Sequence, residues 1–503
     1  MATGFVGRRA DGKTVWLHSS KSTATGARVR DARWGDFLNI VAQTPDDWTE
    51  ITWGAATYFL LTENVANQRP LEILFVDVGQ GDGCIVVSSE TGADERIMVV
   101  DAGQHGNMLG LIKWRFGKLE NSFQFHAAVI THPDQDHYLG FRPIFQHVNA
   151  GFDHVYHNGI GERAGSPMLG PSDATGRFLT DVIETDAQMQ ALYAAGSNNA
   201  KSKNYGKLMR AAIDNASIGP IQMLSTAHGT QENGRCWMPG FAPSDQRRTQ
   251  IEVIGPVPDT AADGSTMLRW FGEDIGSNAR NDGKTKNGHS ILLRLTTGDL
   301  SVLLGGDLNR PAEDHLLRHY SQIGANQPLA DAVPIARTRL GADVLKCCHH
   351  GAADVTDEFL RAVDPFAFVV SSGDDESHAH PRPDLLGRLG KNGRGDAPLL
   401  LCTEILRSTR EKGKAEDFEQ LRRLDAIIDN PATAPADRET AREERSELQD
   451  HIERRNVGVY GAITLRSDGD TMEISFMLER PRGKQRWQGY RYVRSGGGEW
   501  VGA

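Results

Sequence analysis

Four side chains that commonly bind metals lie within six residues of one another, directly after the apolar run 125–130. They are His132, Asp134, Asp136 and His137. A strand that runs into such a turn delivers imidazoles and carboxylates together, so the turn can serve two metal ions at once. We expect His132 and Asp134 to bind one ion, and Asp136 and His137 to bind a second. The alternative is a solvated acidic loop, but the other ligands along the chain favour a metal centre.

Length, charge and cysteine content limit what kind of protein this is. With 503 residues the chain is too long for one compact core, so two or three domains are expected. A net charge of -11 argues against a wide basic surface for duplex nucleic acid, but it allows a local basic groove. The five cysteines are odd in number and two are adjacent, which indicates reduced thiols. No stretch approaches the ~18 apolar residues of a membrane span. We therefore expect a cytoplasmic protein without a membrane partner.

The sequence of residues 1–68 predicts a separate small β domain. Short apolar runs alternate with Gly, Pro and Asp turns, which is typical of strands in a small sheet. The spacing of the aromatic residues resembles that of bacterial SH3-like domains, which usually dock a peptide, a glycan or the rest of their own chain. We interpret Trp34, Trp48 and Trp53 as packing residues rather than as a ligand platform.

The catalytic region is predicted to cover residues 69–480. It opens with the strand 71–78 and the glycine-rich turn 79–83, which contains Asp82. The strand 96–101 ends in Asp101 just before Gly103. A carboxylate at the end of a strand can orient a metal-bound histidine without touching the metal, and we assign Asp101 and Asp82 to this supporting role.

Several motifs along this region resemble the metallo-β-lactamase fold in its ComEC-type version, the soluble hydrolase domain of DNA-uptake proteins. In that version an Asp also replaces the usual second His. The motifs follow the family order and are found at 75–83, 100–103, 131–137, 287–295, 303–307, 345–351, 380–384 and 460–469. The resemblance implies an α/β fold, an αββα sandwich, with metal-dependent nuclease activity on DNA. The membrane segments of the DNA-uptake proteins are absent, so transport is not implied.

The resemblance also implies roles for individual residues. Asp307, at the end of an apolar strand, would bridge the two ions. His350, together with Asp136, would complete the ligands of the second ion. The adjacent His349 would contact a phosphoryl oxygen, although the two histidines can also be assigned the other way round. His380 would donate a hydrogen bond or a proton near the substrate. We therefore predict Asp136, His349 and His380 as catalytic residues.

The first ion lacks an obvious third ligand of its own. His157 is one candidate and His289 another, and each can equally be a supporting or surface histidine. Asp134 in place of a histidine makes the first site harder and more negative, which shifts preference from zinc toward manganese. The expected cofactors are thus two divalent ions, Mn²⁺ and/or Zn²⁺.

Two insertions and a tail complete the expected organisation. The insertion 160–285 shows helical patterning over 178–215 and carries a basic loop with Lys201, Lys203 and Lys207. These lysines are expected to grip a phosphate backbone, with ordinary solvated surface as the alternative. The insertion 405–456 is predicted to be a charged helical hairpin that holds a protein partner or a second copy of the chain. Residues 481–503 are assigned to a C-terminal tail.

The function predicted from the sequence is phosphodiester hydrolysis by a two-metal hydroxide mechanism, most simply by a nuclease that acts on single-stranded DNA. One alternative is a phosphodiesterase for a small substrate, such as a cyclic nucleotide or a phosphorylcholine-type ester. A deep pocket roofed by residues 160–285 would favour that reading, and an open basic groove would favour a polynucleotide. A docking component of a multi-protein system is the alternative outside enzymes.

Overall fold

The structure is a computed structural model that describes residues 2–9, 11–272, 280–373, 380–403, 415–430, 432–454, 463–496 and 498–503. It contains two large sheets that pack face to face, with helices on both outer faces. This four-layer order agrees with the αββα sandwich expected from the sequence. Every helix among the described residues is too short or too polar to cross a lipid bilayer.

The first sheet has ten strands. Its order across the sheet is Ile221–Met223, Ala150–His157, Phe123–Val129, Ile97–Ala102, Gly83–Val87, Leu71–Phe75, Ile463–Ser467, Thr471–Arg482, Gln485–Arg494 and Trp500–Gly502. Alternate residues of its central strands face opposite layers: Met98 points toward the second sheet and Val99 toward the helices. Because both faces are buried, these strands are apolar throughout rather than alternating, as the sequence 97–100 shows.

The second sheet has eight strands. Their order is Thr230–Glu232, Arg235–Trp237, Thr249–Gly255, Leu292–Thr297, Leu300–Leu304, Val344–Lys346, Ala367–Val370 and Leu399–Cys402. The last four run parallel to one another. Their side chains interlock with those of the first sheet in a core that includes Phe75, Val129, Leu293 and Val302.

Helices cover the outer face of each sheet. Those on the first sheet are Asn107–Arg115, Gln135–Tyr138, Phe141–Phe145, Asp186–Leu192, Asn198–Ser202 and Asn204–Asp214. Those on the second are Ala312–Ser321, Val333–Leu340, Asp357–Val363 and Pro383–Asn392. A short helix, Asp282–Gly288, precedes the strand Leu292–Thr297. It carries residues that prove important at the candidate site.

The N-terminal residues form a sheet of their own, as expected. Its seven antiparallel strands are ordered Arg28–Ala32, Val15–His18, Ala56–Leu61, Trp48–Trp53, Phe37–Gln43, Ala2–Val6 and Val65–Ala66. A separate core supports this sheet, in which Leu17, Leu38 and Ile51 are fully buried. Trp34 and Trp48 are buried and Trp53 is half-buried, in keeping with packing roles. The likeness to SH3-like domains remains a prediction.

Two segments differ from those drawn from the sequence. The segment 160–285 is not wholly an insertion, because Ile221–Met223 extends the first sheet and Thr249–Gly255 belongs to the second. The segment 481–503 is not a tail: Gln485–Arg494 pairs with Thr471–Arg482 across a two-residue turn, in which Gly483 has a φ of +64°. Ile221–Met223 has only three residues, which is too short for its pattern to predict a strand.

The charged hairpin is present in the part of 405–456 that the structure describes. Its helices are Ala415–Asp429 and Pro435–Arg454, and Arg445 Nε lies 2.6 Å from Asp425 Oδ1 across them. Residues 404–414 and 455–462, which include part of the predicted motif at 460–469, lie outside the described residues.

Candidate metal centre

The candidate metal centre lies where the carboxyl ends of parallel strands from both sheets meet. In the first sheet Ile97–Ala102 and Phe123–Val129 are parallel neighbours, and in the second Leu300–Leu304 and Val344–Lys346 are. A backbone hydrogen bond of 3.0 Å from Ile291 N to Thr131 O ties the two edges together. Ligands of open α/β sheets characteristically bind at this edge.

Four buried side chains converge there and could hold a metal ion. They are Asp82, His137, Asp307 and His350, whose ligand atoms all lie within 4.8 Å of one another. His137 Nε2 is 3.2 Å from His350 Nε2 and 3.1 Å from Asp307 Oδ1. His350 Nε2 is 3.2 Å from Asp307 Oδ2 and 3.3 Å from Asp136 Oδ2. Asp136 therefore lies on the same side of His350 as Asp307.

The hydrogen bonds behind the two imidazoles define which ring nitrogens face the centre. His137 Nδ1 is 2.8 Å from Asp101 Oδ2, and His350 Nδ1 is 3.1 Å from Asp82 Oδ1. A carboxylate at Nδ1 holds the proton there, so each Nε2 presents a lone pair. Asp82 thus lies behind His350, with its second oxygen bound by the Lys346 ammonium, and acts as an orienting group.

The spacing of the remaining donors suits a cation. Two Nε2 lone pairs that face each other at 3.2 Å repel unless a positive charge lies between them. Metal–ligand bonds of about 2.0–2.2 Å place neighbouring donors of one ion about 3.0–3.4 Å apart. Four separations fall in this range at 3.1–3.3 Å: those from His350 to His137, Asp307 and Asp136, and that from His137 to Asp307. These four residues fit one divalent ion.

The electrostatics of the cluster also favour positive charge. Burial by itself would lower the pKa of His137, but the carboxylates of Asp307 and Asp101 more than offset it and raise the pKa to about 10. The pKa of His350 is likewise raised to about 10, because Asp307 and Asp136 outweigh its burial. Burial opposes ionisation of Asp307, yet the neighbouring His137 and His350 hold the pKa of Asp307 well below its usual range. The cluster thus stabilises a cation at its centre.

Three residues that the sequence analysis did not single out support this arrangement: Thr131, Ser371 and Lys346. Asp101, at a φ of +54°, accepts hydrogen bonds from the Thr131 backbone N–H at 2.9 Å and from the Thr131 hydroxyl at 2.7 Å. Ser371 Oγ donates to Gly81 O at 3.1 Å. Lys346 is buried beside Asp82. A lysine at the end of an otherwise apolar strand was the one signal in the sequence that could have identified Lys346.

Gly81 lets the backbone of residues 132–138, the metal-binding turn, come close to the backbone of the turn 79–83. Its φ is +105°, and a Cβ at this position would lie 1.7 Å from Asp136 O. Asp82 N donates to the same carbonyl at 3.2 Å. The turn 79–83 and the metal-binding turn therefore pack backbone against backbone, which only glycine permits here.

We expect Gly81→Ala to displace the metal-binding turn. It should destabilise the fold by about 1–3 kcal/mol and weaken metal binding, because both the strained φ and the backbone clash must be relieved. Chemical denaturation and metal titration would measure the two effects. Gly92→Ala is the matched control: Gly92 also has a positive φ, +68°, but a Cβ there meets nothing within 4 Å. Equal metal affinity in the two variants would contradict this role of Gly81.

His349 lies beside the centre rather than in it. Its Nδ1 is 3.0 Å from Asp354 Oδ1, and its Nε2 is 3.9 Å from Asp307 Oδ2. Burial would lower the pKa of His349, but the hydrogen bond to Asp354 and the charge of Asp307 raise it above the usual value. His350, rather than His349, thus faces Asp136 and Asp307. The His380 ring is 5.9 Å from that of His349, on the same side of the cluster.

The residues expected to hold a first ion are arranged differently. His132 is buried, with Nε2 3.5 Å from Asp134 Oδ2 and 3.9 Å from Asp307 Oδ2. Asp134 Oδ1 is bound by the Lys286 ammonium. Burial opposes ionisation of Asp134, but hydrogen bonds and charge from His132 and Lys286 lower the pKa of its carboxyl. Asp134 is thus already paired with a cation that belongs to the chain.

Neither histidine proposed as the third ligand reaches this position. His157 is buried, and its Nδ1 accepts a hydrogen bond from Gly159 N at 3.1 Å. Burial lowers the pKa of His157 to about 3, so the ring is neutral. His289 Nε2 donates to Arg269 O at 2.8 Å, and its ring packs against Phe271. Among the described residues, the donors for one ion are assembled and those for the other are not.

The basic segment differs from the predicted loop. Lys201 lies in the helix Asn198–Ser202 and Lys207 in the helix Asn204–Asp214, with Lys203 between them. Asn204 Nδ2 donates to Gln135 Oε1 of the metal-binding turn at 3.0 Å. Tyr205 packs edge-on against Tyr138, the end of that turn. Helical contacts to the core explain the difference, and they hold the segment beside the candidate site.

Comparison with known proteins gives limited similarity. No family model matches the chain. ComE operon protein 3 of Bacillus subtilis (strain 168) is 29% identical over 112 residues, which are 22% of this chain and 12% of that protein. A solved structure of a CmlA β-hydroxylase mutant covers 68% of this chain and 54% of its own, at 11% identity and a TM-score of 0.30. That score is too low to support an argument. What is established is an α/β protein with two facing sheets and a buried His/Asp group able to bind a metal.

Proposed function

We propose that this protein is a metal-dependent phosphodiester hydrolase that acts on DNA, with single-stranded DNA as the favoured substrate. The observation that carries the proposal is the convergence of His137, His350, Asp307 and Asp136 at the carboxyl edge of both sheets. Similarity to ComE operon protein 3 over 112 residues supports it, and the motifs that resemble DNA-uptake hydrolases contain these four ligands. Two imidazoles and two carboxylates suit Mn²⁺ and Zn²⁺ alike.

The bound ion would supply Lewis acidity and lower the pKa of a coordinated water toward neutrality. The residues of the chain provide the rest. Asp101 and Asp82 fix the two imidazoles by holding their Nδ1 protons. His349, held by Asp354, presents Nε2 toward the cluster, where it can donate to a phosphoryl oxygen. His380 lies beyond it, within reach of a leaving oxygen.

The choice of a polynucleotide over a small phosphodiester rests on what surrounds the centre. The basic segment with Lys201, Lys203 and Lys207 is held against the metal-binding turn through Asn204 and Gln135. On another side, a groove of about 650 Å³ opens beside Asp354, the partner of His349. Its walls carry four cationic side chains and three carboxylates, and two of the cations pair with two of the carboxylates: Arg310, Arg361, Arg388 and Lys391, with Asp354, Asp357 and Glu358. A long polyanion can use cationic contacts on both sides, whereas a small phosphodiester cannot.

The direct test is hydrolysis by protein reconstituted with Mn²⁺ or Zn²⁺. The substrates are single-stranded DNA, duplex DNA, RNA and bis-p-nitrophenyl phosphate. We expect cleavage of single-stranded DNA, with weaker turnover of the small chromogenic ester. Turnover of the small ester without cleavage of any polynucleotide would instead support the small-substrate phosphodiesterase. Absence of all four activities in metal-loaded protein would contradict the proposed function.

A triple variant tests the part of the proposal that concerns the lysines. Lys201, Lys203 and Lys207 replaced by Ala should weaken single-strand binding, and each lost phosphate contact should reduce the salt slope by about 0.7. Turnover of bis-p-nitrophenyl phosphate should stay near that of the parent, because the metal centre is unchanged. Fluorescence anisotropy at several salt concentrations would measure the slope. Unchanged DNA cleavage and unchanged salt dependence would remove this segment from the substrate path.

A further inference from the structure

We propose that this chain binds a single divalent ion, and that the Lys286 ammonium stands where a two-metal centre would have its first ion. The inference rests on the proposed function only in treating the centre as that of a metallohydrolase. It departs from the two ions expected from the sequence. It follows from the contacts of four residues: Lys286, Asp134, Asn287 and His132.

Lys286 is a buried ammonium with three acceptors. It belongs to the short helix Asp282–Gly288 and is 9% exposed. Its Nζ contacts Asp134 Oδ1, lies 3.3 Å from Glu162 Oε1 and lies 3.4 Å from Pro133 O. An ammonium has three donors, and these three acceptors can satisfy all of them. Lys286 is therefore held in one position as a fixed positive charge.

Both oxygens of Asp134 already have partners within the chain. Its Oδ1 is bound by Lys286, and its Oδ2 accepts a hydrogen bond of 2.7 Å from the Asn287 amide when the amide nitrogen faces its acceptors. In this orientation Asn287 also donates to Gly283 O at 3.1 Å, and its oxygen faces His349 Nε2 at 3.5 Å. Two consecutive residues of one helix, Lys286 and Asn287, thus hold both oxygens of the expected ligand.

Among the residues that the structure describes, which leave out 374–379, the remaining donors are too few for a second ion. His132 Nε2 and Asp307 Oδ2 are 3.9 Å apart, and Asp307 is already shared with His137 and His350. His289 Nε2 donates to Arg269 O, and His157, whose buried Nε2 has no partner among the described residues, is not part of the group of ligand atoms within 4.8 Å of one another. An ion bound by His132 and Asp134 would also lie close to the Lys286 ammonium, and the two cations would repel each other strongly at this depth. Lys286 and a first ion therefore exclude each other.

The ammonium offers part of what the ion would supply. A compact point charge beside Asp134 neutralises that carboxylate and adds positive potential on the His132 side of the cluster. An ion has an exchangeable coordination position, whereas the ammonium has none. Lys286 is accordingly a positioning residue in this proposal: it orients Asp134 and supplies charge without touching the reacting atoms.

Metal stoichiometry tests the proposal without any substrate. Full-length protein and variants are equilibrated with excess Mn²⁺ or Zn²⁺ and passed through a desalting column, and bound metal is measured by mass spectrometry. We expect one equivalent in the parent and about two in Lys286→Met, because removal of the ammonium frees Asp134. Lys284→Met is the matched control, since Lys284 lies on the same helix and pairs with Asp354 at 2.7 Å. It should stay at one equivalent.

A second pair of variants decides the question if Lys286→Met fails to fold. Asp134→Asn should keep one equivalent, because Asp134 is not a ligand, whereas Asp307→Asn should lose it. Two equivalents in the parent, falling to one in Asp134→Asn, would overturn the proposal, as would a folded Lys286→Met that stays at one equivalent. A protein with one ion but no phosphodiesterase activity would contradict the proposed function and leave the single-ion inference in place.

Discussion

Asp307→Ala should abolish hydrolysis and empty the metal centre. Asp307 lies 3.1 Å from His137 Nε2 and 3.2 Å from His350 Nε2, so each of its oxygens faces one imidazole of the cluster. Without this carboxylate the ion loses one negatively charged ligand. The two buried imidazoles then no longer have an anion between them to favour a cation at the centre. Because metal ions contribute several kcal/mol to catalysis, we expect the rate to fall by a factor on the order of 10³ or more.

Metal analysis and single-turnover kinetics would check this result together. Asp299→Asn is the control, since Asp299 is an exposed carboxylate at the opposite end of the same strand. It should keep the metal content and the rate of the parent. A circular dichroism spectrum would show whether Asp307→Ala is folded. Full metal content in folded Asp307→Ala would contradict the role assigned to this residue.

Arg466→Met should destabilise the protein by about 3 kcal/mol, because it removes the buried cation that Glu72 and Asp36 share and leaves these carboxylates to Arg115 and Arg33. Arg466 is 2% exposed and lies between the N-terminal sheet and the first sheet of the sandwich. Its Nη2 is 2.5 Å from Glu72 Oε1 and 2.9 Å from Asp36 Oδ1, and its Nη1 donates to Trp34 O at 2.5 Å. One guanidinium thus joins the two sheets.

The loss of stability in Arg466→Met can be assigned to the buried ion pairs of Arg466 by comparison with an exposed ion pair. Arg423 Nη2 lies 2.6 Å from Glu419 Oε1 on the hairpin helix, and the Arg423 side chain is 74% exposed. Arg423→Met should change the free energy of unfolding by less than about 1 kcal/mol. Equilibrium denaturation of both variants would measure the difference. Separate unfolding of the N-terminal unit in Arg466→Met would show that the residue acts at this interface, whereas an unchanged denaturation midpoint would refute the prediction.

The sequence by itself was enough to locate the elements that carry the site. The apolar run before His132, the one before Asp307 and the one before the His349–His350 pair each predict a buried strand whose end bears a ligand. Burial on both faces makes such strands apolar throughout, so they stand out without knowledge of their neighbours. The hairpin helices were recognisable for a similar reason, since their apolar stripes recur at helical spacing.

The predicted segment boundaries were wrong where the local sequence pattern is weak. The strands Ile221–Met223 and Trp500–Gly502 are three residues long, too short to show a period. The lysines at 201–207 were assigned to a loop, but Ser197 caps a helix there by accepting a hydrogen bond from Ala200 N, and Tyr205 packs into the core. Tertiary contacts stabilise helices that are too short to be stable alone.

Only the tertiary structure decided how the ligands are paired. Asp82 and His350 lie 268 residues apart along the chain, and Glu72 and Arg466 lie 394 apart, yet each pair is in direct contact. The same holds for Lys286, in the helix before a strand of the second sheet, and Asp134, in the turn after a strand of the first sheet. Residue type identifies Asp134 as a possible metal ligand, but whether its charge meets an ion or an ammonium depends on which side chains the two sheets bring together. Spacing within one segment carries no information about this, because the partner comes from a distant part of the chain.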